Sequence, residues 1–103
     1  MEQILVDLKK RIEEIAGDSL IKMVLYGSRA RGDYDDESDT DIAIIVRGLT
    51  RELKHDILSG VADIEFDYLQ PLSTLIMSEE DFHHLVNRER RIALDIEREG
   101  IAL

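Results

Sequence analysis

Residues 24 to 46 read VLYGSRARGDYDDESDTDIAIIV, and two pairs in that stretch could do chemistry together. Gly27 and Ser28 end one apolar run, and Asp39 and Asp41 lead into the next. Side chains alternate along a strand, so Asp39 and Asp41 face the same side where the chain enters it. Two carboxylates so placed, with no basic residue adjacent, repel each other unless a cation sits between them. Hard oxygen ligands of this kind suit Mg²⁺, which keeps several waters and shares its shell with substrate phosphates. With two ions about 3.5–4 Å apart, one would activate an attacking oxygen and the other steady the leaving oxygens of an in-line phosphoryl displacement.

Gly27 lets the backbone approach a ligand closely. SRAR, from Ser28, can open a short helical turn whose free N–H groups suit phosphate oxygens. The Ser28 hydroxyl adds a donor, and Arg29 and Arg31 are candidate phosphate cations. An anion cradle on one strand end would therefore face a metal-binding pair on the next. That arrangement can hold a nucleoside triphosphate and cut it at the α-phosphate.

Other polar groups carry less. DYDDESD lacks the glycine of a calcium loop at its sixth position, and Ile44 stands where the bidentate glutamate belongs. Asp33, Asp35, Asp36 and Glu37 read instead as a solvated loop that concentrates cations. His83 and His84 are helical neighbours that diverge by about 100°, so they cannot readily share one ion. RERR at 88–91 reads as a solvated face, Tyr26 as a core residue and Tyr34 as a loop residue.

These residues need elements to position them. Ile4, Leu5, Leu8, Ile12 and Ile15 recur at helical spacing over residues 3–16. LIKMVLY (20–26) and DIAIIV (41–46) read as strands, the second so continuously apolar that both its faces should be covered. A helix follows over about 51–66, with Leu53, Ile57, Val61 and Ile64 inward and Leu58 alongside. Pro71 marks the approach to a third strand, LSTLIM (72–77), and Ser78 caps a helix beginning near Glu79. A last helix spans about 88–99 and stops at Gly100, with Arg91 and Asp95 paired four apart. The expected fold is α+β: a small mixed sheet of three or more strands, with helices mainly on one face, forming a single domain over residues 1–103.

Composition narrows the class. There are 13 basic and 23 acidic residues, a net charge of −10, which disfavours non-specific grip on nucleic acid. The absence of cysteine excludes disulfides, thiolate metal sites and a cysteine nucleophile. No apolar run approaches the ~20 residues of a membrane span, and a helical pattern beginning at Gln3 leads us to expect no signal peptide and a cytoplasmic protein.

Gly-Ser, about ten residues, then Asp-x-Asp resembles the signature of the nucleotidyltransferase superfamily related to DNA polymerase beta, most closely its minimal members. The strand before the motif, the helix after it, LIMSEEDF and the terminal REG also fit, so the resemblance covers nearly the whole chain. It implies that Gly27 and Ser28 bind the triphosphate and that Asp39 and Asp41 bind the metal ions, two Mg²⁺ being expected. It also implies transfer of a nucleoside monophosphate, AMP from ATP, to a hydroxyl acceptor. Larger relatives carry extra domains for the acceptor, so a chain this short is expected to receive it from a dimer mate or a partner. Minimal members are commonly paired with a small helical HEPN protein as antitoxin to its toxin. One departure stands out: active members usually carry a third carboxylate on a later strand, and LSTLIM has none. Asp67 is the substitute expected here, ahead of Glu65 and Asp63. Without one, the alternative is a weak or inactive nucleotide-binding module that neutralises its partner by contact.

Overall fold

The computed structural model describes residues 2–103. Helix α1 (Gln3–Ala16) leads through one short 3₁₀ turn to strand β1 (Leu20–Tyr26), then the single-turn helix α2 (Ser28–Arg31) and strand β2 (Asp41–Val46). Helix α3 (Arg51–Tyr68), strand β3 (Ser73–Ser78), helices α4 (Glu79–Asn87) and α5 (Arg91–Glu99) and strand β4 (Ile101–Ala102) complete the chain. The sheet runs β3-β2-β1-β4, with β2 and β3 parallel and the other two pairs antiparallel.

Alternation along the strands divides the core. Ile42, Ile44 and Val46 of β2 join Met23 and Ile76 against Leu5, Leu8 and Ile12 of α1 and Ile57, Val61 and Ile64 of α3. Ala43 and Ile45 join Val24 and Met77 on the other face, beneath Phe82 of α4 and Ala93 and Ile96 of α5. The long helices thus form the main layer on one face, and the short pair covers the second. Strand β2 is buried from Ile42 to Val46, as its unbroken apolar run requires. Where α1 and α3 touch, Gly60 leaves room: a Cβ there would lie 2.5 Å from Ile15 Cδ1.

Capping follows the sequence. The Thr50 and Ser78 side chains accept from the N–H groups of Leu53 and Asp81 and open α3 and α4. Three details depart from expectation. Leu58 is 46% exposed and lies outside the core stripe of α3. The last helix begins at Arg91, because Arg88–Arg90 form a turn in which Glu89 takes φ 53°. The fourth strand is new; two residues are too few to show alternation, yet Leu25↔Ile101 and Val24↔Ala102 pairing covers the edge of β1. The Arg91–Asp95 pair forms, at 3.9 Å across a largely solvated surface.

Candidate nucleotide site

The ends of β1 and β2 lie side by side, with Tyr26 paired to Asp41. Gly27 then turns with φ 74° and ψ −156°, a conformation other residues adopt only with strain. It serves a second purpose. A Cβ on Gly27 would stand 2.5 Å from Asp41 Oδ2, so the carboxylate occupies the space a side chain would need. Glycine at 27 and aspartate at 41 are therefore one feature. Helix α2 opens at Ser28 directly after this corner, and its C-cap Gly32 is left-handed.

Asp39 is held differently. It is exposed on the loop before β2 and lines an open cleft of about 400 Å³ together with Arg29, Thr40, Tyr68, Leu69 and Gln70. Between the two carboxylates Thr40 is buried, and its carbonyl accepts the Ser73 N–H at 2.9 Å, which fixes the start of β2 against β3. The loop also has internal bonds: Asp35 Oδ1 accepts from the Glu37 N–H at 2.9 Å, and Ser38 N–H donates to the Asp35 carbonyl at 3.1 Å. Neither Asp39 nor Asp41 has an ion-pair or side-chain hydrogen-bond partner among the described residues.

The arginines proposed as phosphate cations are engaged within the chain. Arg29, with 15% of its side chain exposed, donates from Nη2 to the Ser38 carbonyl at 3.1 Å and approaches Glu2 at 3.8 Å. Its guanidinium lies 4.7 Å over the Tyr34 ring, and its Nε is buried without a hydrogen-bond partner among the described residues. Arg29 thus clamps the acidic loop from beneath, one residue before Asp39. Arg31 lies 3.4 Å from both Asp33 and Glu99, and those carboxylates hold its guanidinium firmly charged.

Of the three candidate acids, Asp67 is exposed on the last turn of α3. Glu65 Oε2 accepts the Leu72 N–H at 2.8 Å and shapes the approach to β3, while Asp63 pairs with Arg11 at 2.9 Å. The strand residue in register with Asp41 on β3 is Ser73. Directly opposed residues share a face, so Tyr26, Asp41 and Ser73 form one row across three strands. Sequence reasoning missed Tyr26 and Ser73 as neighbours of Asp41. Counting Pro71 as the boundary of β3 located that strand but not its register against β2. Burial raises the Tyr26 phenol above its ordinary value, and the charge of Asp41 adds to the shift.

The donor set decides what could bind. Among the described residues no group of three or more His, Cys, Asp or Glu side chains is gathered as a closed metal cage. Asp39 lines the open cleft, and Asp41 stands over Gly27 at the strand end, outside that lining. Carboxylates without a partner among the described residues are hard donors whose chemistry fits a divalent ion that takes its remaining ligands from water and phosphate.

Residues 9–103 match the family described as "Polymerase beta, Nucleotidyltransferase". The chain belongs to this family. It is 49% identical over 75 residues to "Putative protein adenylyltransferase MJ0141" of Methanocaldococcus jannaschii, a match spanning 72% of this chain and 76% of that relative. A second relative from the same organism, "Putative protein adenylyltransferase MJ0604", is 39% identical over 56 residues, 54% of this chain and 40% of its own length. Among solved structures, a "putative nucleotidyltransferase from Sulfolobus solfataricus" superposes with a TM-score of 0.51 at 23% identity, over 96% of this chain and 80% of the other. A "putative minimal nucleotidyltransferase" gives 0.56 at 22% identity, over 99% and 97% of the two chains. At that identity the structures speak for the fold alone, and they agree that this nucleotidyltransferase domain has the family's mixed sheet.

Proposed function

We propose that this nucleotidyltransferase moves AMP from ATP to a hydroxyl group on a partner protein. The observation that carries the reading is the seating of the Asp41 carboxylate over Gly27, which couples the anion cradle to the metal pair. In this reading the Gly27–Ser28 corner receives the triphosphate, and Asp39 and Asp41 hold the divalent ions. Bound there, Mg²⁺ supplies charge neutralisation for the phosphates and lowers the pKa of an oxygen it touches. The acceptor oxygen attacks the α-phosphorus, the bond from that phosphorus to the bridging oxygen breaks, and pyrophosphate leaves. The hydroxyl proton passes to a carboxylate or to water. Arg29 acts from below by fixing the loop that presents Asp39. Arg31, tied to Asp33 and Glu99, braces α2 against the end of α5.

Support for a protein acceptor comes from the names of the relatives; support for an antitoxin role beside a helical HEPN partner comes from the resemblance of the motif. No helix is long and apolar enough to cross a membrane among the described residues, and we place the reaction in the cytoplasm. Ser73, in register with Asp41 where an acid would complete the site, favours a second reading: a nucleotide-binding module that neutralises its partner by contact. Incubation with α-labelled ATP, Mg²⁺ and the partner separates the two. Label transferred to the partner, and lost in Asp39→Asn or Asp41→Asn, supports the enzyme. Neutralisation that survives both substitutions without any transfer rejects it in favour of the binder.

A further inference from the structure

The two edges of the sheet are finished differently. Strand β4 is two residues long and leaves little edge to pair with. Strand β3 runs six residues, STLIMS, with no charge, no proline and an unbroken register against β2. Charges, proline and bulges are the usual means of blunting an edge, and β3 has none of them.

The main-chain groups on its outer side can be followed one by one. The Ser73 N–H donates to Thr40, so Ser73, Leu75 and Met77 turn their groups toward β2, and Leu72, Thr74, Ile76 and Ser78 turn theirs away. Two of the outward groups are already engaged. The Leu72 N–H donates to Glu65 Oε2 at 2.8 Å, and the Ser78 carbonyl opens α4 as its N-cap. Left to solvent are the Leu72 carbonyl, both groups of Thr74 and of Ile76, and the Ser78 N–H.

That remainder is complementary to itself. Consider a second β3 laid antiparallel along the edge, with the twofold axis at Leu75. The Thr74 N–H meets the Ile76 carbonyl of the second copy, the Ile76 N–H its Thr74 carbonyl, and the Ser78 N–H its Leu72 carbonyl. The groups that this register does not use are the Leu72 N–H and the Ser78 carbonyl, the two that the chain has already satisfied. Only a strand with the same two engaged groups matches without remainder, and β3 is such a strand.

The layer above agrees. Glu65 reaches the β3 edge, and Leu58, seven residues earlier, lies on the same side of α3 and is 46% exposed. Helix α3 packs over β2 and β3, so across the seam its copy would lie two strand spacings away, roughly 10 Å, the distance of packed helices. The twofold sets those helices antiparallel, with the Arg51 and Lys54 end of one toward the Glu65 end of the other. A net charge of −10 opposes self-association, but salt screens it beyond about 8 Å and β3 itself carries none of it.

We infer that a second copy of this chain pairs antiparallel along β3, about an axis at Leu75, and joins two four-stranded sheets into one of eight. The pairing holds whether or not the transfer reading above does.

Sedimentation of the whole protein, without nucleotide, should show a monomer–dimer equilibrium. Thr74→Pro removes an N–H that the monomer does not use, at an edge where proline is tolerated. By symmetry it deletes two bonds from the seam, so dimer affinity should fall by about tenfold or more. The chain has no cysteine, so single-cysteine variants read the register. Leu75→Cys brings two Cα atoms to about 4.5 Å at the axis, within disulfide reach, and should oxidise to a covalent dimer. Ser73→Cys places them on the order of 13 Å apart and should not. Asp39→Asn should leave the dimer intact, so loss of transfer and loss of pairing are read separately. A wild type that stays monomeric at its highest soluble concentration overturns the inference, including one that captures a foreign strand peptide instead. So does a Thr74→Pro variant that dimerises like the wild type, or a bridge that forms through Cys at 73 in preference to 75.

Discussion

Asp39 and Asp41 are two residues apart and are held by different means. Asp41 is the first residue of β2, in ladder register with Tyr26 and Ser73, and its carboxylate fills the gap over Gly27. Asp39 stands on a loop, exposed, and its placement depends on the Arg29 bond to the Ser38 carbonyl and on turns that Asp35 makes with Glu37 and Ser38. Backbone pairing in a sheet centre is among the last structure to open, whereas a loop of acidic residues opens readily. One half of the candidate site is therefore built into the fold. The other half has a tunable position, and Arg29 sets it.

If the strand-held half is the fixed reference, its loss should cost most. Asp41→Asn is expected to lower label transfer on the order of a hundredfold or more, with far-ultraviolet circular dichroism unchanged. Asp39→Asn should cost less, because water in the open cleft can take the place of one exposed ligand. Equal losses of transfer and of magnesium affinity in the two variants would break the comparison outright. Gly27→Ala attacks the same half from the other strand. It forces a side chain into φ 74° and places Cβ 2.5 Å from Asp41 Oδ2. Transfer should fall about tenfold or more as the carboxylate is displaced, and stability should fall by roughly 1–2 kcal/mol from the strained turn. A variant with wild-type activity would show that the seat over Gly27 is incidental.

The loop-held half has its own test. Arg29→Met keeps much of the side chain's bulk but removes its bond to Ser38 and its stacking charge over Tyr34. Amide exchange over residues 33–39 should speed up, and apparent magnesium affinity should drop several-fold, while the strands stay protected. No change in loop exchange would mean that the clamp is ornamental. Ser73→Asp sharpens the comparison from the strand side, since it adds a carboxylate in register with Asp41. Magnesium affinity should rise by a few-fold, and transfer with it if the missing acid limits the reaction. A fall in both would show that a third charge at that register only repels the first two.

The two halves were unequally legible in the sequence. Strand β2 declares itself by an unbroken apolar run, and Gly27 with Ser28 marks the end of β1, so the fixed half could be read before any coordinates. The role of Arg29 could not. An arginine three residues after a strand looks like a phosphate ligand, and only tertiary placement shows its guanidinium turned under the loop toward Ser38 and Tyr34. Ser73 was hidden for another reason: an apolar run after Pro71 finds a third strand, but its register against β2 depends on how Thr40 and Ser73 bond across the gap. Strand β4 was too short to carry any periodicity.

The smallest effect is a titration, and it reports on the same corner. Burial disfavours the phenolate of Tyr26, and the neighbouring Asp41 carboxylate disfavours it further, so its folded value lies above the ordinary 10.0. A raised phenol means that the folded chain binds this proton more tightly than the unfolded chain. The resulting stability is fully present below the ordinary value and is lost as pH rises through the folded one. In a background with Tyr34→Phe and Tyr68→Phe, the midpoint of the rise in near-ultraviolet phenolate absorbance should therefore lie above the ordinary 10.0, alongside alkaline unfolding. Asp41→Asn should bring the transition to lower pH without returning it to the ordinary value, because burial is the larger cause and remains. If that substitution leaves the transition where it was, the Asp41 charge does not reach Tyr26, and the carboxylate is not held over the corner in solution.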